Sequence, residues 1–124
     1  MKKLIVIFAF SVLLTGCVGG YSTTGGGESS DTITLGFVGS LTGDVAGMGQ
    51  DDKSTVEMFL KDNPVWAGKK VEVIFEDGQC NGQKAASATE KLVSVDKVQL
   101  ILGGLCSGET LGAAPIVEKG KVLL

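Results

Sequence analysis

The chain has 124 residues and carries 11 basic side chains, all of them lysine, against 14 acids, for a formal net charge of −3. An acidic, arginine-free chain with no basic run is excluded as a nucleic-acid binder that works by phosphate neutralisation. It also has no histidine, which removes the commonest general base and metal ligand.

The chain opens Met1-Lys2-Lys3 and runs apolar from Leu4 to Leu14, broken only by Ser11, before Thr15-Gly16-Cys17. This is a positive n-region, a short apolar region and a small-residue cleavage site. Its 11 residues would rise only about 16 Å as a helix, roughly half the hydrocarbon thickness of a bilayer, so residues 1–16 read as an export signal and not as a span. The tetrapeptide Leu14-Thr15-Gly16-Cys17 resembles the bacterial lipobox, which implies that Cys17 is acylated and becomes the first residue of the mature protein. The alternative is an ordinary secretory signal with an unrelated cysteine. Each buried acyl methylene contributes roughly 0.8 kcal/mol, so two or three chains would hold the protein on a membrane without a spanning helix.

From Val18 to Asp31 the composition shifts to Gly, Ser and Thr, with Tyr21 the only large side chain after Val18. Such a segment buries too little apolar surface to fold. Residues 17–31 are therefore expected to form a lipidated cysteine followed by a flexible tether, reaching on average roughly 20 Å. Past Cys17, nine lysines face fourteen acids.

Residues 32–124 carry the folded part. The β-branched and aromatic run Ile33 to Val38, ending in Gly39-Ser40, predicts a first strand, followed by the turn-rich Leu41-Thr42-Gly43-Asp44. Val56, Phe59 and Leu60 recur at helical spacing between about Gly47 and Asp62, and Asn63-Pro64 stops the pattern. Val71 to Phe75 predicts a second strand. Gln83 to Ser94 predicts a second helix with Ala85, Ala88, Leu92 and Val93 facing inward. Val98 to Leu102 is almost wholly apolar, as expected of a parallel strand covered on both faces. A third helix is expected from Ser107 or Gly108 to Lys119, ended by Gly120, with Pro115 inside it as a signal for a kink or early stop. Val122 to Leu124 opens a fourth strand.

The predicted fold class is thus α/β, a parallel sheet with helices on both faces in the order β-α-β-α-β-α-β. A buried strand that opens at Val122-Leu123-Leu124 with no loop or helix after it gives the expectation of an incomplete chain.

Cys80 lies just beyond the predicted second strand and Cys106 just beyond the third, so both fall at the carboxyl edge of the sheet. In an oxidising compartment a disulfide is their expected state, and the chain-entropy model gives it roughly 3 to 4 kcal/mol. The alternative is two free thiols. A metal site is not expected, because two cysteines without histidine supply half a zinc shell.

Ligands of open parallel sheets bind outside the carboxyl ends of the strands. That edge carries Gly39 to Met48 and Leu105 to Glu109. Ser107 stands at a helix start, where its hydroxyl and the first-turn amides can hold a carboxylate. Equally, Ser107 could simply cap its own helix. Gly47-Met48-Gly49 begins like a dinucleotide fingerprint, but Asp52 occupies the place of the third glycine. Gly104-Leu105-Cys106-Ser107-Gly108 imitates a nucleophile elbow, yet no histidine exists to activate Cys106.

Together, Ile33-Thr34-Leu35-Gly36-Phe37-Val38-Gly39-Ser40-Leu41-Thr42-Gly43, Phe75-Glu76-Asp77 with Cys80, and Gly104-Leu105-Cys106-Ser107 resemble the branched-chain amino acid (leucine/isoleucine/valine) substrate-binding proteins of ABC transporters. The resemblance runs from Ile33 to Leu124. It implies a type I periplasmic-binding-protein fold, of which residues 32–124 would be the first part of lobe 1, and a disulfide between Cys80 and Cys106. It further implies that Ser107 binds the backbone of an amino-acid ligand and that Leu105 and Cys106 line the side-chain pocket. Met48 stands where the family commonly has an aromatic wall, which leaves the preferred side chain open. Glu109 is a second departure: an acid in the first helical turn suits the helix dipole but would disfavour an anionic ligand. If it faced the cleft, an amide or cationic ligand would follow.

The function expected is therefore an extracytoplasmic, lipid-anchored binding protein, not an enzyme. It would capture a branched-chain or other small amino acid, or an amide, without a cofactor and deliver it to an ABC permease in the membrane. The alternatives are a ligand sensor on the same fold and an exported hydrolase using Cys106.

Overall fold

The computed structural model describes residues 31–124. The expected signal 1–16, the acylated Cys17 and the tether 17–31, apart from exposed Asp31, lie outside the described residues.

Seven elements follow in order: β1 Thr32–Gly39, α1 Ala46–Asp62, β2 Val65–Trp66, β3 Lys69–Asp77, α2 Gly82–Ser94, β4 Ile101–Gly103 and α3 Ser107–Gly120. They form a mixed α/β fold on one sheet ordered β2-β3-β1-β4. β1 is the central parallel strand, pairing with β3 from Thr32 opposite Lys70 to Gly39 opposite Asp77 and with β4 over Gly36 to Val38. Within β1 the side chains alternate between faces. Leu35 and Phe37 are buried on one face, and Phe37 meets its register partner Phe75 with ring centroids 5.2 Å apart. Val38 points to the other face, into a core with Ala85, Ala88, Leu92, Val98, Ile101 and Val117.

That core explains α2. Ala85, Ala88 and Leu92 recur at helical spacing and are buried as predicted, with Val93 half-buried beside them. The helix starts at Asn81, whose side chain accepts the Gln83 amide at 2.9 Å and the Lys84 amide at 3.1 Å. α3 packs on α2, bringing Ala113 and Val117 inside. Burying a side chain of the size of Val117 contributes about 1.5 to 3 kcal/mol.

Several expectations are corrected. β2 is an antiparallel edge strand joined to β3 by a tight turn, Ala67 at φ 49° and Gly68 at φ 79°, so the order is β-α-β-β-α-β-α. β3 extends over Lys69–Asp77, beyond the apolar run at both ends. The third strand is shorter than expected, Ile101–Gly103, with Leu100 making an isolated parallel bridge to Leu123. The expected start of a fourth strand at Val122–Leu124 is present in that bridge, with the Leu123 amide donating to the Gln99 carbonyl at 3.1 Å and the Ile101 amide to the Leu123 carbonyl at 2.8 Å. α3 runs through Pro115 to Gly120, and the left-handed residue that ends it is Lys121 at φ 56°, not the glycine. In α1 the expected inner face is only partly buried: Phe59 is 52% exposed, and Gly49 is the one buried residue of the helix. The reason is that α1 lies over β3, where the Lys53 ammonium sits 5.2 Å from the centre of the Phe75 ring, and the Phe59 ring meets the Trp66 ring edge-on with centroids 6.2 Å apart.

Candidate functional site

The carboxyl ends of β1, β3 and β4 converge, and their loops continue the ladder. The Gly78 amide donates to the Gly39 carbonyl at 2.7 Å and the Gly104 amide to the Val38 carbonyl at 2.9 Å. Two carboxylates then organise the edge that these loops form.

Asp77, the last residue of β3, accepts the Leu41 amide at 2.9 Å, the Thr42 amide at 3.2 Å and the Thr42 hydroxyl. It also accepts the Gln79 amide at 3.1 Å and the Gln79 side-chain amide at 3.2 Å. Partial burial would raise its pKa, but the hydrogen bonds from Thr42 and Gln79 outweigh that and hold it below the usual aspartate value. Asp77 therefore fixes the loop after β1 to the loop after β3.

Glu109 is fully buried. Its Oε1 accepts the Ser40 hydroxyl and the Cys80 amide, each at 3.0 Å, and its Oε2 accepts the Cys106 amide at 3.0 Å. The last bond is the return half of a capping box three residues into α3. Ser40 is also fully buried, and α1 closes on it: a Cβ at Gly49 would come 2.0 Å from the Ser40 carbonyl oxygen, so only glycine permits this approach. Glu109 thus points inward, away from the open edge. The condition under which sequence reasoning favoured an amide or cationic ligand is not met.

Cys80 and Cys106 are joined in a disulfide with their Cα atoms 5.2 Å apart, inside the usual range for the bond. It clamps the loop after β3 to the start of α3, and it takes the Cys106 sulfur out of nucleophilic chemistry.

Ser107 is the first residue of α3 and is exposed, while Cys106 holds the capping position. Ser107 therefore does not cap its own helix, and its hydroxyl has no hydrogen-bond partner among the described residues. The Glu109 and Thr110 amides donate to the Cys106 carbonyl at 2.9 and 3.1 Å, whereas the amides of Ser107 and Gly108 have no intrahelical acceptor. A hydroxyl and two amides at a helix start form an arrangement suited to a carboxylate. Leu105 and Cys106 are half-buried immediately before it. Met48, in the first turn of α1, is 59% exposed at the same end of the sheet.

Ser40, Asp77 and Gln79 carried no role in the sequence reading, nor did the burial of Glu109. The spacing from Cys106 to Glu109 was the available signal, since a cap followed three residues later by Glu is the capping-box pattern. Gly47-Met48-Gly49 lies inside the first turn of α1 and makes no phosphate loop. Among the described residues no group of three or more metal-ligating side chains occurs, and no helix is long and apolar enough to cross a membrane.

A family model described as periplasmic binding protein matches residues 32–124. The leucine-specific-binding protein of Salmonella typhimurium is 30% identical over 102 residues, covering 79% of this chain and 27% of that protein. Among solved structures, a solute-binding protein of an ABC transporter from Rhodopseudomonas palustris, in complex with 3,4-dihydroxybenzoic acid, superposes with a TM-score of 0.72 at 30% identity, over 75% of this chain and 26% of that one. A branched-chain amino acid transporter substrate-binding protein from Streptococcus pneumoniae, in complex with isoleucine, gives a TM-score of 0.68 at 29% identity, over 73% and 27%. The chain spans about a quarter of the length of the curated relatives it matches.

Proposed function

Because the chain belongs to the periplasmic binding protein family, we propose that it serves an ABC transporter as an extracytoplasmic, lipid-anchored binding component that captures a small carboxylate-bearing solute, a branched-chain or other small amino acid foremost. The observation that carries the reading is the start of α3. An exposed Ser107 hydroxyl and the free Ser107 and Gly108 amides stand at the carboxyl edge, and Glu109, the acid in the first turn of α3, is turned inward. Leucine, isoleucine and 3,4-dihydroxybenzoic acid, the ligands of the relatives named above, share a carboxylate. Hydrogen bonds to a charged group contribute about 1.5 to 3 kcal/mol each, so a few of them fix the orientation of so small a ligand. Leu105 and the disulfide at Cys106 supply the apolar side on which the rest of the ligand rests, and Met48 widens or closes it according to ligand size. Binding is non-catalytic. Acylated Cys17 and the tether keep the domain near a membrane permease, which receives the solute.

The test is calorimetry on the protein encoded by its own full reading frame. The titrants are aliphatic amino acids, their carboxamides, and hydroxybenzoates. Micromolar or tighter binding of one carboxylate, with its carboxamide at least tenfold weaker, is the expected result. Carboxamide binding equal to or tighter than the acid sinks the carboxylate assignment, and no binding across the panel sinks the solute class. For the anchor, Cys17→Ala should move the protein from the membrane fraction to the soluble one; unchanged partition refutes it.

A further inference from the structure

We propose that Glu109 is the positioning residue of the ligand edge, a buried carboxylate that fixes the start of α3, and with it Ser107, against the loops leaving β1 and β3. The proposal rests on the carboxylate-capture reading above. Its three donors come from three separate segments, Ser40 after β1, Cys80 after β3 and Cys106 after β4, each at 3.0 Å. Glu109 and Ser40 are both fully buried, so water is not at hand to replace a lost bond. The chain also makes room for the carboxylate: a Cβ at Gly78 would come 2.3 Å from Oε1.

Other ties cross this edge as well. The disulfide joins the second and third segments, with the Ser40 hydroxyl 3.8 Å from its Cys106 sulfur, and Asp77 joins the first and second. Glu109 differs in taking a hydrogen bond within 3.0 Å from each of the three, and it grips the backbone amide of Cys106, the residue adjoining Ser107. Both backbone donors are N–H groups, one on each carboxylate oxygen. An isosteric carboxamide therefore cannot serve them both: in either orientation its own NH2 faces an amide N–H, and one buried donor is orphaned. The start of α3 then shifts, and the Ser107 hydroxyl and amide shift with it. Against this stands a charge effect of opposite sign, because removing an acid from the first turn of α3 would favour an anionic ligand. Three donors already surround the acid and face it inward, so positioning outweighs repulsion, and the sign of the affinity change decides between them.

The experiment uses the protein of the full reading frame and the variants Glu109→Gln and Ser40→Ala. Affinities for L-leucine, L-isoleucine and 3,4-dihydroxybenzoate are measured well below each melting midpoint, where every variant is folded and global stability does not enter. Amide hydrogen exchange is measured without any probe. Glu109→Gln is expected to weaken the best probe at least tenfold and to speed exchange at the Cys80 and Cys106 amides. Ser40→Ala, which removes one of the two donors on Oε1 and leaves both backbone N–H groups paired, should weaken the best probe less than Glu109→Gln does and leave the Cys106 amide unchanged. Glu109→Gln binding within threefold of the parent, or more tightly, overturns the proposal. Should no probe bind even the parent, the carboxylate reading fails by itself and exchange decides alone, with unchanged exchange overturning the role of Glu109. If Glu109→Gln does not fold, Glu109→Asp, which keeps the charge and retracts it by one methylene, is read by the same criteria.

Discussion

The Leu41 amide donates to the Asp77 carboxylate at 2.9 Å, so the last side chain of β3 sets the first step of the loop leaving β1. The two strands end in register, Gly39 opposite Asp77. With the Thr42 amide bonded to the same carboxylate, the sheet's order extends three residues past the last pair of the ladder, to Thr42.

Because the Asp77 pKa is depressed in the folded state, the stability it confers is fully present above the unfolded aspartate value of about 3.9 and is lost as pH falls through the lower folded value. Denaturation midpoints should be flat from neutrality to about pH 5 and decline below about pH 4. Asp77→Asn should lower stability by about 1 kcal/mol at pH 7, a modest figure because the group is partly solvated, and should flatten the acid limb. An Asp77→Asn protein with an unchanged acid limb would rule out this assignment.

Ser107→Ala separates a ligand contact from a helix cap. Cys106 already caps α3 and Ser107 is exposed, so stability should change by less than about 0.5 kcal/mol. Affinity for the carboxylate ligand should drop about ten- to hundredfold, the cost of one charge-assisted hydrogen bond. A melting shift with unchanged affinity would return the residue to a structural role.

The disulfide encloses a sequence separation of 26 residues, for which the chain-entropy model gives about 3.5 kcal/mol. Replacing Cys80 and Cys106 together by serine should lower stability by that order. In the native protein neither cysteine should react with a maleimide until reductant is added. Labelling of Cys106 without reductant would revive nucleophilic chemistry at the turn before α3.

Thr89 is wholly buried in α2, and its hydroxyl makes no hydrogen bond among the described residues. Thr89→Val keeps the shape and removes the unpaired hydroxyl, and should raise stability by about 1 kcal/mol. A lowered midpoint would mean that the hydroxyl has a partner in the protein. Leu92→Ala, at a fully buried position of the same helix, should cost about 3 kcal/mol.

Adding one methyl group at Gly49 tests the contact between α1 and Ser40. A Cβ there overlaps backbone, not a movable side chain, so Gly49→Ala should destabilise by about 3 kcal/mol. It should also weaken ligand binding, through displaced Ser40. An unperturbed melting curve would show that α1 stands farther from the sheet.

The sequence carries the sheet and α2 plainly, because Leu35 and Phe37 alternate along β1 and Ala85, Ala88 and Leu92 repeat with the helical period. β2 escapes that reading. Two residues, Val65 and Trp66, are too few to show a period, and their turn places Ala67, not the asparagine or aspartate of a typical hairpin, in the left-handed region. Phe59 misleads for a different reason. Its spacing fits an inner helical face, but the neighbouring hairpin gives it Trp66 to lean on. At the candidate site, Cys80, Cys106 and Ser107 are legible from their places after strands. Glu109 is not, since a charged side chain is expected outside, and only the convergence of three loop segments supplies the donors that let it stay buried.

The outer edge of the sheet is β2, entered from Pro64, whose carbonyl is already taken by the Val71 amide at 2.9 Å. β2 covers only Lys69 and Lys70 of β3, so from Glu72 to Asp77 the outer side of β3 has no strand partner among the described residues, and such an edge can template another strand. Charged side chains along that stretch, Glu72 beside Lys70 and Glu76 beside Lys91, oppose the approach of a foreign strand between copies of the protein.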